Sequence, residues 1–120
     1  MKLRDFFKNG KPSDKKEGTV SKTIDGLLFK VVWDQDDNSG YLRGTIDKNN
    51  WQIGTVEMHS DGKGTPYVAQ DLGISPKYKR QGLASKLYDY IESLGFNVEP
   101  APPEQQTDAG KAFWKSRQQK

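Results

Sequence analysis

The chain changes period once. Between Leu27 and Ile74 apolar and polar residues alternate in short runs, and past Pro76 the apolar repeat lengthens to about 3.6 residues. The first run, Leu27-Leu28-Phe29-Lys30-Val31-Val32-Trp33-Asp34, ends in a turn-rich segment reaching Gly40. Tyr41–Asp47 follows, then Trp51–Ser60, then a run from Thr65 that Pro76 closes. These four runs predict a meander of four strands. In the next segment Leu83, Leu87, Tyr90, Ile91 and Leu94 lie on one face of a helix about three turns long, with Gly95 as its C-terminal cap. Phe96-Asn97-Val98 reads as a fifth strand, and a Pro-rich stretch separates it from a short last helix. Thr107 or Asp108 caps that helix, and Ala109, Ala112 and Phe113 form its apolar side. The expected fold is α+β: a mainly antiparallel, twisted sheet of about five strands, the 80–94 helix packed on it, and a short C-terminal helix.

Composition narrows the field. At 120 residues there is room for one core. Residues 1–22 are set apart as a basic N-terminal segment, partly flexible because Gly10, Pro12 and Gly18 interrupt any helix, with residues 23–120 as the domain. Leu3, Phe6 and Phe7 are expected to pack back on that domain, the alternative being that they dock a partner. The 19 basic residues exceed the 16 acidic ones mainly at the two ends, which read as solvated termini rather than a nucleic-acid surface. With no cysteine and His59 as the sole histidine, disulfides, thiolate nucleophiles and multi-histidine metal sites are excluded, and no metal is expected. No signal peptide or membrane span is expected, and a cytoplasmic location is the default.

The informative stretch is Gln70-Asp71-Leu72-Gly73-Ile74-Ser75-Pro76-Lys77-Tyr78-Lys79-Arg80-Gln81-Gly82-Leu83-Ala84. A strand ends at a proline, and a basic turn with one glycine opens a helix. The unpaired N–H groups and positive dipole end of such a helix suit an anion, and Gly82 leaves room for a phosphate to approach. Lys77, Lys79, Arg80 and Lys86 add positive charge, so a diphosphate is the ligand best accommodated. The glycine spacing of a P-loop or a dinucleotide fingerprint is absent.

The whole string resembles motif A of the GNAT (Gcn5-related N-acetyltransferase) superfamily. Asp71–Tyr78 resembles its fourth strand, and Lys79–Ala84 its pyrophosphate loop, with Lys79 where Arg or Gln is usual. Ala109-Gly110-Lys111-Ala112-Phe113-Trp114-Lys115 resembles the family's Ala-x-x-Phe-Tyr-x-Lys segment. The likeness runs over about 51–117. It implies acetyl-coenzyme A as acyl donor, with the pantetheine arm on Leu72, Gly73 and Ile74 as an added strand. It also implies the pyrophosphate on the amides of Gln81, Gly82, Leu83 and Ala84, with Lys77, Lys79 and Arg80 nearby. A strand N–H near Leu72 would polarise the thioester carbonyl.

Three departures bear on catalysis. Only Asp34–Gly40 joins the first two strand runs, where the family places two helices. Trp114 stands where the family's proton-donating Tyr is usual, and an indole N–H supplies no proton. The last two strands of the family have no counterpart in the sequence, so a second copy or a partner protein would complete the acceptor side. Glu57 and His59, two apart and so on one strand face, are the candidate bases; as ordinary residues they would be a solvent-facing carboxylate and a strand end. The leading expectation is acetyl transfer from acetyl-coenzyme A to an amine or protein acceptor. The alternative is a catalytically degenerate GNAT fold that acts by binding a partner, for example a phage protein acting on a host factor.

Overall fold

The computed structural model describes residues 10–79 and 81–118. Leu3, Phe6 and Phe7 lie outside the described residues. Six strands form one sheet in the order β1 (Glu17–Ile24), β2 (Leu27–Gln35), β3 (Gly40–Lys48), β4 (Trp51–Ser60), β5 (Tyr67–Ile74) and β6 (Val98–Glu99). Helix α1 (Leu83–Ser93) links β5 to β6, and α2 (Asp108–Gln118) follows β6. The first five strands are antiparallel neighbours, and β6 runs parallel to β5.

The expected α+β architecture stands, with six strands in place of about five. The added strand is β1, and a boundary after residue 22 falls inside it. Asp25 and Gly26, both at positive φ (53° and 79°), make a two-residue hairpin turn of the type that matches strand twist. Asn49 and Asn50 do the same between β3 and β4. Residues before β1 are tied down as well. The Ser13 N–H donates to the Leu94 carbonyl at 3.1 Å, and buried Gln35 donates through Nε2 to the carbonyls of Ser13 (2.7 Å) and Lys15 (2.8 Å). The Tyr67 hydroxyl donates in turn to Gln35 Oε1 at 2.8 Å, so every polar atom of that buried side chain finds a partner role.

One face of the sheet is the core. Phe29, Val31, Trp33, Leu42, Ile46, Val56 and Met58 alternate with exposed residues and meet Leu83, Leu87, Tyr88, Tyr90 and Ile91 of α1. Gly44 lets the helix come close: a Cβ there would lie 3.1 Å from Leu87 and 3.3 Å from Ile91. The opposite face carries Lys30, Val32, Tyr41, Arg43 and His59 exposed to solvent. The connection between β2 and β3 is a short loop in which Asp36 accepts the N–H groups of Asn38 and Ser39, both at 2.8 Å, so no helices cover that face from there. No helix among the described residues is long and apolar enough to cross a membrane.

Candidate functional site

β5 is paired along its whole length on one side and only at its start on the other. Its pairing with β4 runs from His59↔Val68 to Gly54↔Ile74, with a break between Glu57 and Met58 that leaves Gln70 as an extra residue on β5. Such a bulge bends the strand and increases its twist. On the far side β6 reaches only Tyr67 and Val68, where the Tyr67 N–H donates to Asn97 at 2.7 Å. From Ala69 onward β5 and β6 diverge, leaving an interior strand with a bare edge.

The ladder decides which backbone groups that edge presents. The Ser75 N–H donates to the Ile53 carbonyl at 2.7 Å. Antiparallel pairs alternate between bonded and non-bonded, so Gly73 and Asp71 turn their amides toward β4, and Leu72 and Ile74 turn theirs to the open edge. Gly73, expected as a backbone contact, has its N–H and carbonyl in the β4 ladder. Gly73 does not line the cleft, and a Cβ built there meets nothing within 4 Å.

The divergence opens a cleft of about 660 Å³. Leu72 and Ile74 line it from β5, Lys79, Gly82, Leu83 and Ala84 from the turn into α1, and Phe113 and Trp114 from α2. Gly82 takes the left-handed conformation (φ 74°) at the N-cap, where no side chain caps the helix and no acid lies in its first turn. Gly82, Leu83 and Ala84 therefore bring the positive end of the helix dipole to the cleft wall. Lys77 leans on the Tyr78 ring at 5.8 Å, and Lys86 is 3.4 Å from Asp25; neither lines the cleft, nor does exposed Gln81. Arg80 lies outside the described residues.

Glu57 and His59 sit elsewhere. Both are on the sheet face away from α1, and neither lines the 660 Å³ cleft, although Glu57 is paired across the ladder with Asp71, which does. The Tyr41 hydroxyl donates to Glu57 Oε1 at 3.2 Å, and its ring meets His59 edge-on at 5.2 Å. Burial, and then Glu57, hold the Tyr41 phenol above its usual pKa.

The sequence reading missed Tyr88, which lines the cleft between Phe113 (5.4 Å) and Trp114 (5.2 Å). The docking of α2 is what brings it to the site. Burial pushes its phenol to about 12, with Arg117 pulling the other way. The folded value stands above the unfolded one, so the stability it contributes is complete below about pH 10 and is lost as pH rises toward about 12. Tyr88→Phe is expected to raise the midpoint of alkaline unfolding, followed by circular dichroism, by roughly half a pH unit. An unchanged midpoint would show that the phenol is not the buried acid described.

A second hollow of about 540 Å³ lies across the strand split, between Val68, Glu99, Pro100, Pro102, Lys111 and Lys115. Ala101, Gln106 and Trp114 line both cavities, and the Gln106 side chain donates to the Ala101 carbonyl. Val68 pairs opposite His59 and Ala69 opposite Met58, so successive β5 residues serve opposite faces of the sheet.

The model of the acetyltransferase (GNAT) family matches residues 4–99. The chain belongs to that family. The GNAT resemblance read in motif A is thus borne out, and the curled mixed sheet with its splayed β5 and β6 is a GNAT-like fold. A solved structure described as AAC(6')-Iy in complex with the bisubstrate analog CoA-S-monomethyl-acetylneamine aligns with a TM-score of 0.48 at 10% identity, covering 65% of this chain. This GNAT chain spans 58% of that protein's chain. No curated protein matches the sequence.

Proposed function

We propose that the protein transfers an acetyl group from acetyl-coenzyme A to an amine. The observation that carries this reading is one continuous cleft in which a bare strand edge leads to an uncapped helix N-terminus. An extended amide-bearing arm fits the first as an added strand, and a diphosphate fits the second. In this reading Leu72 and Ile74 pair with the pantetheine amides, and Leu83 and Ala84 hold the pyrophosphate with Lys79 beside them. A β5 amide at the open edge holds the thioester oxygen as negative charge grows there, a contribution typically of about 2.7–4 kcal/mol.

The amine nitrogen bonds to the thioester carbon, the carbon–sulfur bond breaks, and one proton leaves nitrogen while another reaches sulfur. His59, beside the second hollow through its pair with Val68, accepts the first, with Glu57 next along the same face. Tyr88 supplies the second in place of the indole of Trp114: it lines the cleft, and its phenol stays protonated at neutral pH.

Trp114 and the uncovered sheet face also favour a second reading, a GNAT fold that binds a partner and does no chemistry. Calorimetry with coenzyme A, followed by mass spectrometry for acetylated amines, separates the two. Micromolar binding with product is expected. Binding without product supports the second reading, and absence of binding removes both the cofactor assignment and the roles given to Leu72, Ile74 and Gly82.

A further inference from the structure

The hollow across the split is walled by unlike charges that do not neutralise one another. Glu99 stands on the β6 side, and Lys111 and Lys115 stand on α2. All three are exposed, and none forms an ion pair with any described residue. Lys111 and Lys115 are one helical turn apart, which puts both ammonium groups on the same side of α2, toward the hollow. Between them and Glu99 lie Ala101, Gln106 and Trp114, the wall shared with the cofactor cleft.

We propose that this hollow is the acceptor pocket and that it selects an amine carrying its own acid group, a small amino-acid-like molecule, with Glu99 drawing the ammonium and Lys111 and Lys115 holding the acid. The acceptor role rests on the acetyl-transfer reading above; the selectivity rests on the three charges. A neutral amine leaves the lysines without a partner. A diamine sets its second cation against two like charges within about 6 Å, where repulsion in a partly solvated site is enough for roughly a tenfold discrimination or more. An acid-bearing amine satisfies both walls, and its nitrogen lies at the Glu99 side, next to the Ala101, Gln106 and Trp114 boundary that the hollow shares with the cofactor cleft.

The test is a titration of the ¹⁵N-labelled full chain, without cofactor, using L-glutamate and putrescine as probes. L-glutamate is expected to shift the amides of Glu99, Ala101, Lys111 and Lys115 saturably, and putrescine to leave them in place at the same concentration. In the double variant Lys111→Glu/Lys115→Glu, whose changes fall on exposed side chains, glutamate binding should weaken at least about tenfold and putrescine should gain. Equal shifts from both probes, no shift from either, or a double variant that binds glutamate like the wild type would overturn the proposal. Coenzyme A calorimetry on the same sample keeps the two readings apart. Coenzyme A binding without glutamate binding sinks the charge argument and leaves the cofactor cleft standing. Glutamate binding without coenzyme A binding leaves a ligand pocket and removes the transferase reading.

Discussion

Replacing Arg117 with alanine is expected to lower stability by about 2–4 kcal/mol and to release α2 from α1. The guanidinium donates through Nη1 to the Ser85 carbonyl (3.1 Å) and Ser85 Oγ (2.6 Å), and through Nη2 to Asp89 (3.2 Å) and Glu92 (2.6 Å). It also lies 5.4–5.8 Å from the rings of Tyr88, Phe113 and Trp114. The two carboxylates are 67% and 45% exposed, so their ion pairs count for little once solvent screens them. The weight falls on the Ser85 bonds and the aromatic contacts, because the arginine itself is only 13% exposed. Hydrogen bonds from a charged donor are worth about 1.5–3 kcal/mol, and a desolvated cation–π contact adds up to about 2, without simple additivity. For a domain of this size 1 kcal/mol corresponds to about 4 °C, so Tm should fall by roughly 8–15 °C, with amide exchange in α2 rising first. Arg117→Lys should recover little, since an ammonium cannot reproduce the planar fork. A Tm within about 2 °C of the wild type would mean that α2 is held by other contacts.

That hub also explains which parts of the site were legible in the sequence. β2, β3 and β4 announced themselves because one face of each is buried and the other is wetter, and α1 because its buried stripe repeats at 3.6 residues. β1 is an edge strand whose inward residues Val20 and Ile24 are only partly buried, so alternation is faint there. Its signal was Asp25-Gly26, a hairpin dipeptide set before an apolar run. At the site, the motif around Leu72 and Gly82 carried local chemistry well. The place of Gly73 in the β4 ladder is a matter of register: the extra residue Gln70 sets which β5 amides face β4, and no residue type marks that. Lys86 has the right charge in the right segment, but Asp25, 61 residues away, pairs with it. Tyr88, Ala101 and Gln106 enter through the docking of α2 and the chain leading to it, a tertiary outcome of Arg117 and the aromatic cluster.

The second large effect is expected from Leu72→Pro, a change that takes one hydrogen from the backbone. Leu72 is 38% exposed and lies opposite Val56 in a non-bonded pair, so its N–H serves the open edge and the β4 ladder does not use it. Proline is tolerated on a strand where the missing N–H faces outward, and Asp71 before it is already extended. The fold should therefore survive with a Tm within a few degrees of the wild type. Coenzyme A affinity should fall about 10- to 100-fold, or about 1.4–2.7 kcal/mol, because a pantetheine carbonyl loses its donor and the proline ring occupies its path. Leu72→Ala is the control for the side chain and should change affinity by less than about threefold. Gly73→Pro reverses the pattern: it removes an N–H that bonds to β4, so it should lower Tm well beyond Leu72→Pro. Calorimetry and thermal unfolding on the three variants read both arms of the argument. If Leu72→Pro stays folded and binds coenzyme A like the wild type, the bare edge of β5 is not the track of the cofactor arm. If Gly73→Pro is the milder of the two changes for stability, the alternation assigned to β5 is inverted.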